Sequence, residues 1–83
     1  MSKKEILEAV TEIINECADE HKYHMKYGVE TLKEAKEAFA RDFNVVSRVI
    51  DKIGDYEEYV EVNKLYEELV GEMEEAAVYY NKN

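Results

Sequence analysis

The residues best suited to chemistry lie on one short stretch: Cys17, His21 and His24. They fall at i, i+4 and i+7. On a helix, Cys17 and His21 share a face and His24 follows within a turn, so a thiolate and two imidazoles could meet at one metal ion. Met25 stands near His21, and Glu20 lies one turn before His24. A structural zinc site needs four ligands, and no second Cys/His cluster supplies the rest. The Glu-x-x-His pattern of di-iron bundles is missing, because Ala18 and His21 stand three residues before His21 and His24. The expectation is therefore no metal and no cofactor, with Cys17, His21 and His24 as the alternative ligand set. Two histidines near a helix C-terminus read first as structural, favoured there by the helix dipole.

Other catalytic patterns fail on spacing. Cys17 with His21 would sit on an apolar stripe with no oxyanion donor nearby, so a buried, inert thiol is expected. Glu57-Glu58-Tyr59-Val60-Glu61 fits the first half of the magnesium-binding pattern of all-helical nucleotide pyrophosphohydrolases. The second half, a Glu-x-x-Asp further on, is absent; the Glu16–Asp19 pair lies upstream. No Gly-rich phosphate loop or nucleophile elbow occurs. The lysines and arginines, such as Lys22, Lys26, Lys33, Lys36, Arg41 and Arg48, are interleaved with acids, which argues against a nucleic-acid-reading helix. The chain is expected not to be an enzyme.

The elements that would position these residues are helices. Proline is absent, and Gly28, Gly54 and Gly71 are the only glycines in 83 residues. Ser2-Lys3-Lys4-Glu5 is a capping box, with Met1 and Ile6 placed for a hydrophobic staple. Ile6, Leu7, Val10, Ile13, Ile14, Cys17, Ala18, His21 and Met25 then recur at helical spacing. Thr31-Leu32-Lys33-Glu34 is a second capping box. It opens the stripe Leu32, Ala35, Phe39, Phe43, Val46, Val49, Ile50 and Ile53. The two stripes are out of phase by roughly 80° on a heptad wheel. One continuous helix with a single buried face should not slip that far, so a turn is expected at residues 26–30; a helix running unbroken from residue 3 to 53 is the alternative, since no proline forces the break. Gly54 suits a left-handed C′ position. Asp55-Tyr56-Glu57-Glu58 caps a third helix whose stripe is Tyr59, Val62, Tyr66, Leu69, Met73, Ala76 and Tyr80; a start at Asn63, with 55–62 as a linker, is the alternative. Gly71 inside that helix marks either a close helix crossing or an unconstrained surface position. The tail Asn81-Lys82-Asn83 reads as frayed.

These patterns predict one all-α domain over residues 1–83, with helices at about 3–27, 31–53 and 56–80. Each helix would be roughly 36 Å long, giving an up-down-up antiparallel three-helix bundle that a second copy could complete. A single Cys, no apolar leader and no membrane-length apolar run point to a cytoplasmic protein.

Charge carries the functional expectation. The net charge is −9, which opposes direct binding to nucleic acid or an anionic membrane. Residues 55–80 hold nine acids against Lys64 alone, whereas residues 1–54 hold eleven acids and nine bases. The acids could be a solubilising face. Acids four apart, such as Glu57/Glu61 and Glu68/Glu72, repel one another, however, and a solubilising face normally mixes in lysine. The expected function is a non-enzymatic protein-interaction module, an inhibitor or adaptor that acts as a nucleic-acid mimic. Its acidic third helix would occupy a basic surface on a partner, such as a nucleic-acid-binding protein. The contact residues would be Glu57, Glu58, Glu61, Glu67, Glu68, Glu72 and Glu75, with Tyr59 and Tyr66 as anchors; Tyr56, Tyr79 and Tyr80 lie on the same helix. Small, acidic, Tyr-rich helical chains suit phage-type inhibitors. The alternative is an oligomeric assembly module, a homodimer in its simplest form. A small-ligand or metal-binding bundle at Cys17, His21 and His24 comes third.

Overall fold

The structure is a computed structural model describing residues 2–54 and 56–81. Its elements are α1 (Lys3–Lys26), α2 (Leu32–Ile53) and α3 (Tyr56–Asn81). Each helix packs on both others, and the three form an elongated bundle with extents of 45 × 18 × 17 Å.

Local chemistry sets the helix ends. The Ser2 hydroxyl accepts from the Glu5 N–H at 3.2 Å and donates to the Glu5 carboxylate at 3.1 Å, so Ser2 caps α1 without the reciprocal backbone bond of a full capping box. The full box forms at α2. There the Glu34 N–H donates to Thr31 Oγ1 at 3.1 Å, and the Thr31 N–H donates to Glu34 Oε1 at 3.0 Å. Between the two helices the chain does break. Gly28 takes φ +74, the left-handed conformation that glycine adopts without strain. The Val29 N–H reaches the His24 carbonyl at 2.8 Å, and the Gly28 N–H reaches the Met25 carbonyl at 3.2 Å. This pair of bonds is a Schellman motif, and it turns the chain back along α1.

One expectation needs correction, and two open alternatives are decided. Gly54 is extended, at φ −101 and ψ 166, not left-handed. Glycine suits it for space: a Cβ there would lie 2.9 Å from both the Ile50 carbonyl oxygen and the Glu58 carboxylate. At Gly71 an added Cβ would meet nothing within 4 Å, so this glycine serves no close helix crossing. The linker alternative for 55–62 also fails, because residues 56–62 are helical and the Asn63 amide reaches Glu67 at 3.3 Å. The Met1 staple, the Asp55 cap and the Lys82-Asn83 end of the tail lie outside the described residues; Asn81 ends α3.

The core runs along the bundle axis. Val10, Ile14 and Ala18 of α1 meet Ala35, Phe39, Phe43 and Ile50 of α2 and Val62, Leu69, Met73 and Ala77 of α3. Ala18 and Ala35 are both fully buried, the small side chains that let helices approach closely. Tyr66 stacks on Phe43 at 4.3 Å between centroids and tilts against Phe39 at 5.1 Å. Among the described residues, no helix is long and apolar enough to cross a membrane.

Candidate functional site

Among the described residues, His21 is the one buried polar side chain, near the C-terminal end of α1. Its ring sits edge-on to Phe39, with centroids 6.2 Å apart. Nδ1 lies 2.8 Å from Glu30 Oε1, and Nε2 lies 3.0 Å from Asp42 Oδ2. A neutral imidazole has one donor nitrogen, so donating to two carboxylates requires the imidazolium. Burial opposes that charge, but hydrogen bonds and attraction to Glu30 and Asp42 outweigh it and raise the His21 pKa. His24, one turn on, places its Nδ1 2.9 Å from the same Glu30 oxygen. Burial would raise the Glu30 pKa, but the two histidines override it and hold the carboxyl below its ordinary range. Glu20 stands 3.9 Å from His24 Nε2, on the other side of that ring.

The backbone explains how Glu30 gets there. The Schellman turn at Gly28 folds residues 29–30 back onto the end of α1, and the Glu30 N–H also reaches the His24 carbonyl at 3.3 Å. The next residue, Thr31, fixes the start of α2, so Glu30 is held between two capped helix ends. Asp42 reaches in from α2, one turn beyond Phe39.

The ligand set expected from spacing is thereby changed. A ring nitrogen of His21, a ring nitrogen of His24 and a Glu30 carboxylate oxygen lie within 4.8 Å of one another, and both Nδ1 atoms contact Glu30 Oε1. Cys17 is not in that group. Its thiol is partly buried, and burial, then Asp42, Glu20 and Glu16, push its pKa up and disfavour the thiolate. Neither Glu30 nor Asp42 stood out in the sequence. Glu30 is a loop residue six positions past His24, and only the turn brings it back. Asp42 is one of many acids, marked only by its place beside the Phe39–Phe43 stripe.

All the acids of α3 but Glu67 divide into two groups. Those on its flanks pair with lysines of the neighbouring helices. Glu58 meets Lys3 at 3.0 Å and Glu72 meets Lys22 at 3.3 Å, both toward α1; Glu74 meets Lys36 of α2 at 3.8 Å. The second group is Glu57, Glu61, Glu68 and Glu75. These are exposed, and no described cation lies within ion-pair distance of them. At 100° per residue they occupy a strip about 40° wide, and from Glu57 to Glu75 it runs about 27 Å. Tyr79, 66% exposed, extends this strip one turn past Glu75. Glu67 is exposed on the opposite edge of the outer face.

Of the expected tyrosine anchors, Tyr59 is at the margin of exposure, at 37%. Tyr66 is packed against two phenylalanines and cannot anchor a partner without leaving the core. The strip therefore keeps Glu57, Glu61, Glu68 and Glu75 from the expected set, gains Tyr79, and leaves Glu58 and Glu72 tied to α1. Compared with family models, characterised proteins and solved structures, the chain matches none.

Proposed function

We propose that this chain is a non-enzymatic interaction module. Its outward α3 strip occupies a basic site on a partner protein, of the kind that otherwise holds a nucleic-acid backbone, and so blocks or recruits that partner. The observation that carries this reading is the partition of the α3 acids. Lysines of α1 and α2 pair with the flanks, and a line of carboxylates is left facing solvent with no described lysine in ion-pair distance, Lys64 being the single basic residue that α3 sets near it. A rigid helix holds these charges in register, so a basic groove can meet several at once without ordering a flexible segment. Tyr79 at the end of the strip offers the aromatic contact that such interfaces favour.

The test is affinity capture from host lysate using wild-type protein and a Glu57→Lys/Glu61→Lys/Glu68→Lys/Glu75→Lys variant. The expected result is a partner retained by wild type, released by added duplex DNA and by salt, and lost with the variant. A partner that the variant still holds, or that DNA and salt fail to displace, overturns the reading.

A further inference from the structure

The histidine cluster lies at the end of α1, built from α1, the turn and α2, and its argument is independent of the acidic strip. We propose that His21 Nδ1, His24 Nδ1 and a Glu30 carboxylate oxygen form a binding site for a divalent transition metal, with Zn²⁺ the best match.

The three atoms already converge, at 2.8 and 2.9 Å from each imidazole to the shared Glu30 oxygen. Ligands around tetrahedral zinc, bound at about 2.0–2.1 Å, stand roughly 3.4 Å apart. Each imidazole–carboxylate distance need open by only about half an ångström, and the two imidazole nitrogens must settle at the same spacing, adjustments that side-chain rotation supplies. Two imidazoles and one carboxylate are the donor set of open zinc sites, where water fills the fourth position. Magnesium and calcium prefer all-oxygen shells, so this set selects against them. Among the later first-row ions it suits Zn²⁺, Ni²⁺ and Cu²⁺.

What separates this cluster from a chance meeting of polar side chains is the second carboxylate on His21. Asp42 accepts from Nε2 at 3.0 Å. When Nδ1 gives up its proton to a metal, Asp42 keeps the remaining proton on Nε2 and so directs the Nδ1 lone pair toward Glu30 and His24. A carboxylate behind a ligating histidine is the usual outer support of a protein metal site. The His21 ring is held by burial against Phe39, and His24 is carried on the same helix one turn further on. The side chain of His24 is 31% exposed and that of Glu30 18%, so an ion and its water have a route in past His24. On binding, the metal takes the place of the Nδ1 protons that otherwise bridge to Glu30; His21 releases its proton to solvent, and His24 binds as the tautomer with its proton on Nε2, the nitrogen facing Glu20.

The experiment uses the full chain, untagged and stripped with chelator. Zn²⁺ is titrated against a chromophoric competitor, and Co²⁺ is added separately to read its d–d absorption. The expected result is one Zn²⁺ per chain with release of protons, and a Co²⁺ spectrum of nitrogen and oxygen ligation without a thiolate charge-transfer band. His24→Ala and Glu30→Gln should each weaken Zn²⁺ at least 100-fold, and Asp42→Asn should weaken it about 10–100-fold while keeping the stoichiometry. Cys17→Ser should leave affinity unchanged. Circular dichroism on each variant confirms the fold, and the partly exposed His24 is the site least able to disturb it. Zinc binding that survives both His24→Ala and Glu30→Gln belongs to the acidic surface and overturns the proposal. So does dependence on Cys17, or no binding by the folded wild type.

Discussion

One substitution made at two glycines should change stability in opposite directions. At Gly28 and at Gly71 an added Cβ meets no heavy atom within 4 Å, so neither Gly28→Ala nor Gly71→Ala creates a clash. Only the backbone decides the sign. Gly28 is at φ +74, where an L-residue costs about 1–2 kcal/mol. The stiffer unfolded chain returns about 0.4–1 kcal/mol, leaving Gly28→Ala destabilised by roughly 1 kcal/mol. Gly71 lies inside α3 with ordinary helical geometry, and alanine is better there by about 0.8–1 kcal/mol. The two variants should therefore differ by about 2 kcal/mol, which for a chain of this length separates their melting temperatures by on the order of 10 °C. Urea unfolding followed by circular dichroism measures both midpoints, with unchanged slopes showing that the unfolded reference is comparable. Gly28→Asn should recover part of the loss, since asparagine tolerates the left-handed region. Shifts of the same sign in the two alanine variants would refute the Schellman turn or the uninterrupted α3.

Three further outcomes follow from the packing and the charge pairs. Met73 is fully buried, so Met73→Ala should cost about 2–5 kcal/mol in urea unfolding, whereas Val78→Ala, on the exposed side of the same helix, should stay within about 0.5 kcal/mol. Thr31→Ala removes the cap of α2 and should cost about 0.5–2 kcal/mol in the same assay. In chelator, the His21 contribution is fully present below its ordinary pKa of 6.5 and is lost as pH rises through the higher folded value. The Glu30 contribution is present above its ordinary 4.5 and is lost as pH falls through the lower folded value. The cluster should therefore stabilise the metal-free fold most between about pH 4.5 and 6.5, and Asp42→Asn should flatten the alkaline side of a melting-temperature profile.

The parts of this protein that were legible in its sequence are those governed by local rules. Ser2 and Thr31 cap helices because their side chains reach amides three residues on. The phase slip between the α1 and α2 stripes revealed the turn because a single helix cannot bury two faces. Spacing along one helix also placed His21 and His24 together. It could not find Glu30, whose contact depends on the left-handed residue at 28, or Asp42, which reaches His21 across a helix interface. The same limit applies to the tyrosines. Periodicity put Tyr66 on the α3 stripe, but only the packing shows that its ring is committed to Phe39 and Phe43. Composition showed that α3 is acidic; the division of its acids depends on which lysines of α1 and α2 stand beside it.

That division also bears on why the strip exists. Exposed ion pairs are worth no more than about 1 kcal/mol each, so Lys3, Lys22 and Lys36 do little for stability beyond offsetting the flanking acids. Along the strip Lys64 is the only base set against four acids, and neighbours such as Glu57 and Glu61 repel by a few tenths of a kcal/mol. No packing contact requires acid there, because these side chains face solvent. A chain shaped for stability would alternate lysine with glutamate throughout, as α1 does at Lys4 and Glu8 and α2 at Lys33 and Glu37; α3 does so at Lys64 and Glu68 alone. His21 departs from the stable choice in the same sense. An apolar side chain could fill its buried position without two carboxylates to support it, and a buried charge with its partners is often no more stable than such a replacement. Departures of this kind, where a local rule is broken without a structural return, are where function is expected. The two in this chain lie on different elements, an outward strip on α3 and an inward cluster at the α1–α2 turn, so each can be removed without touching the other.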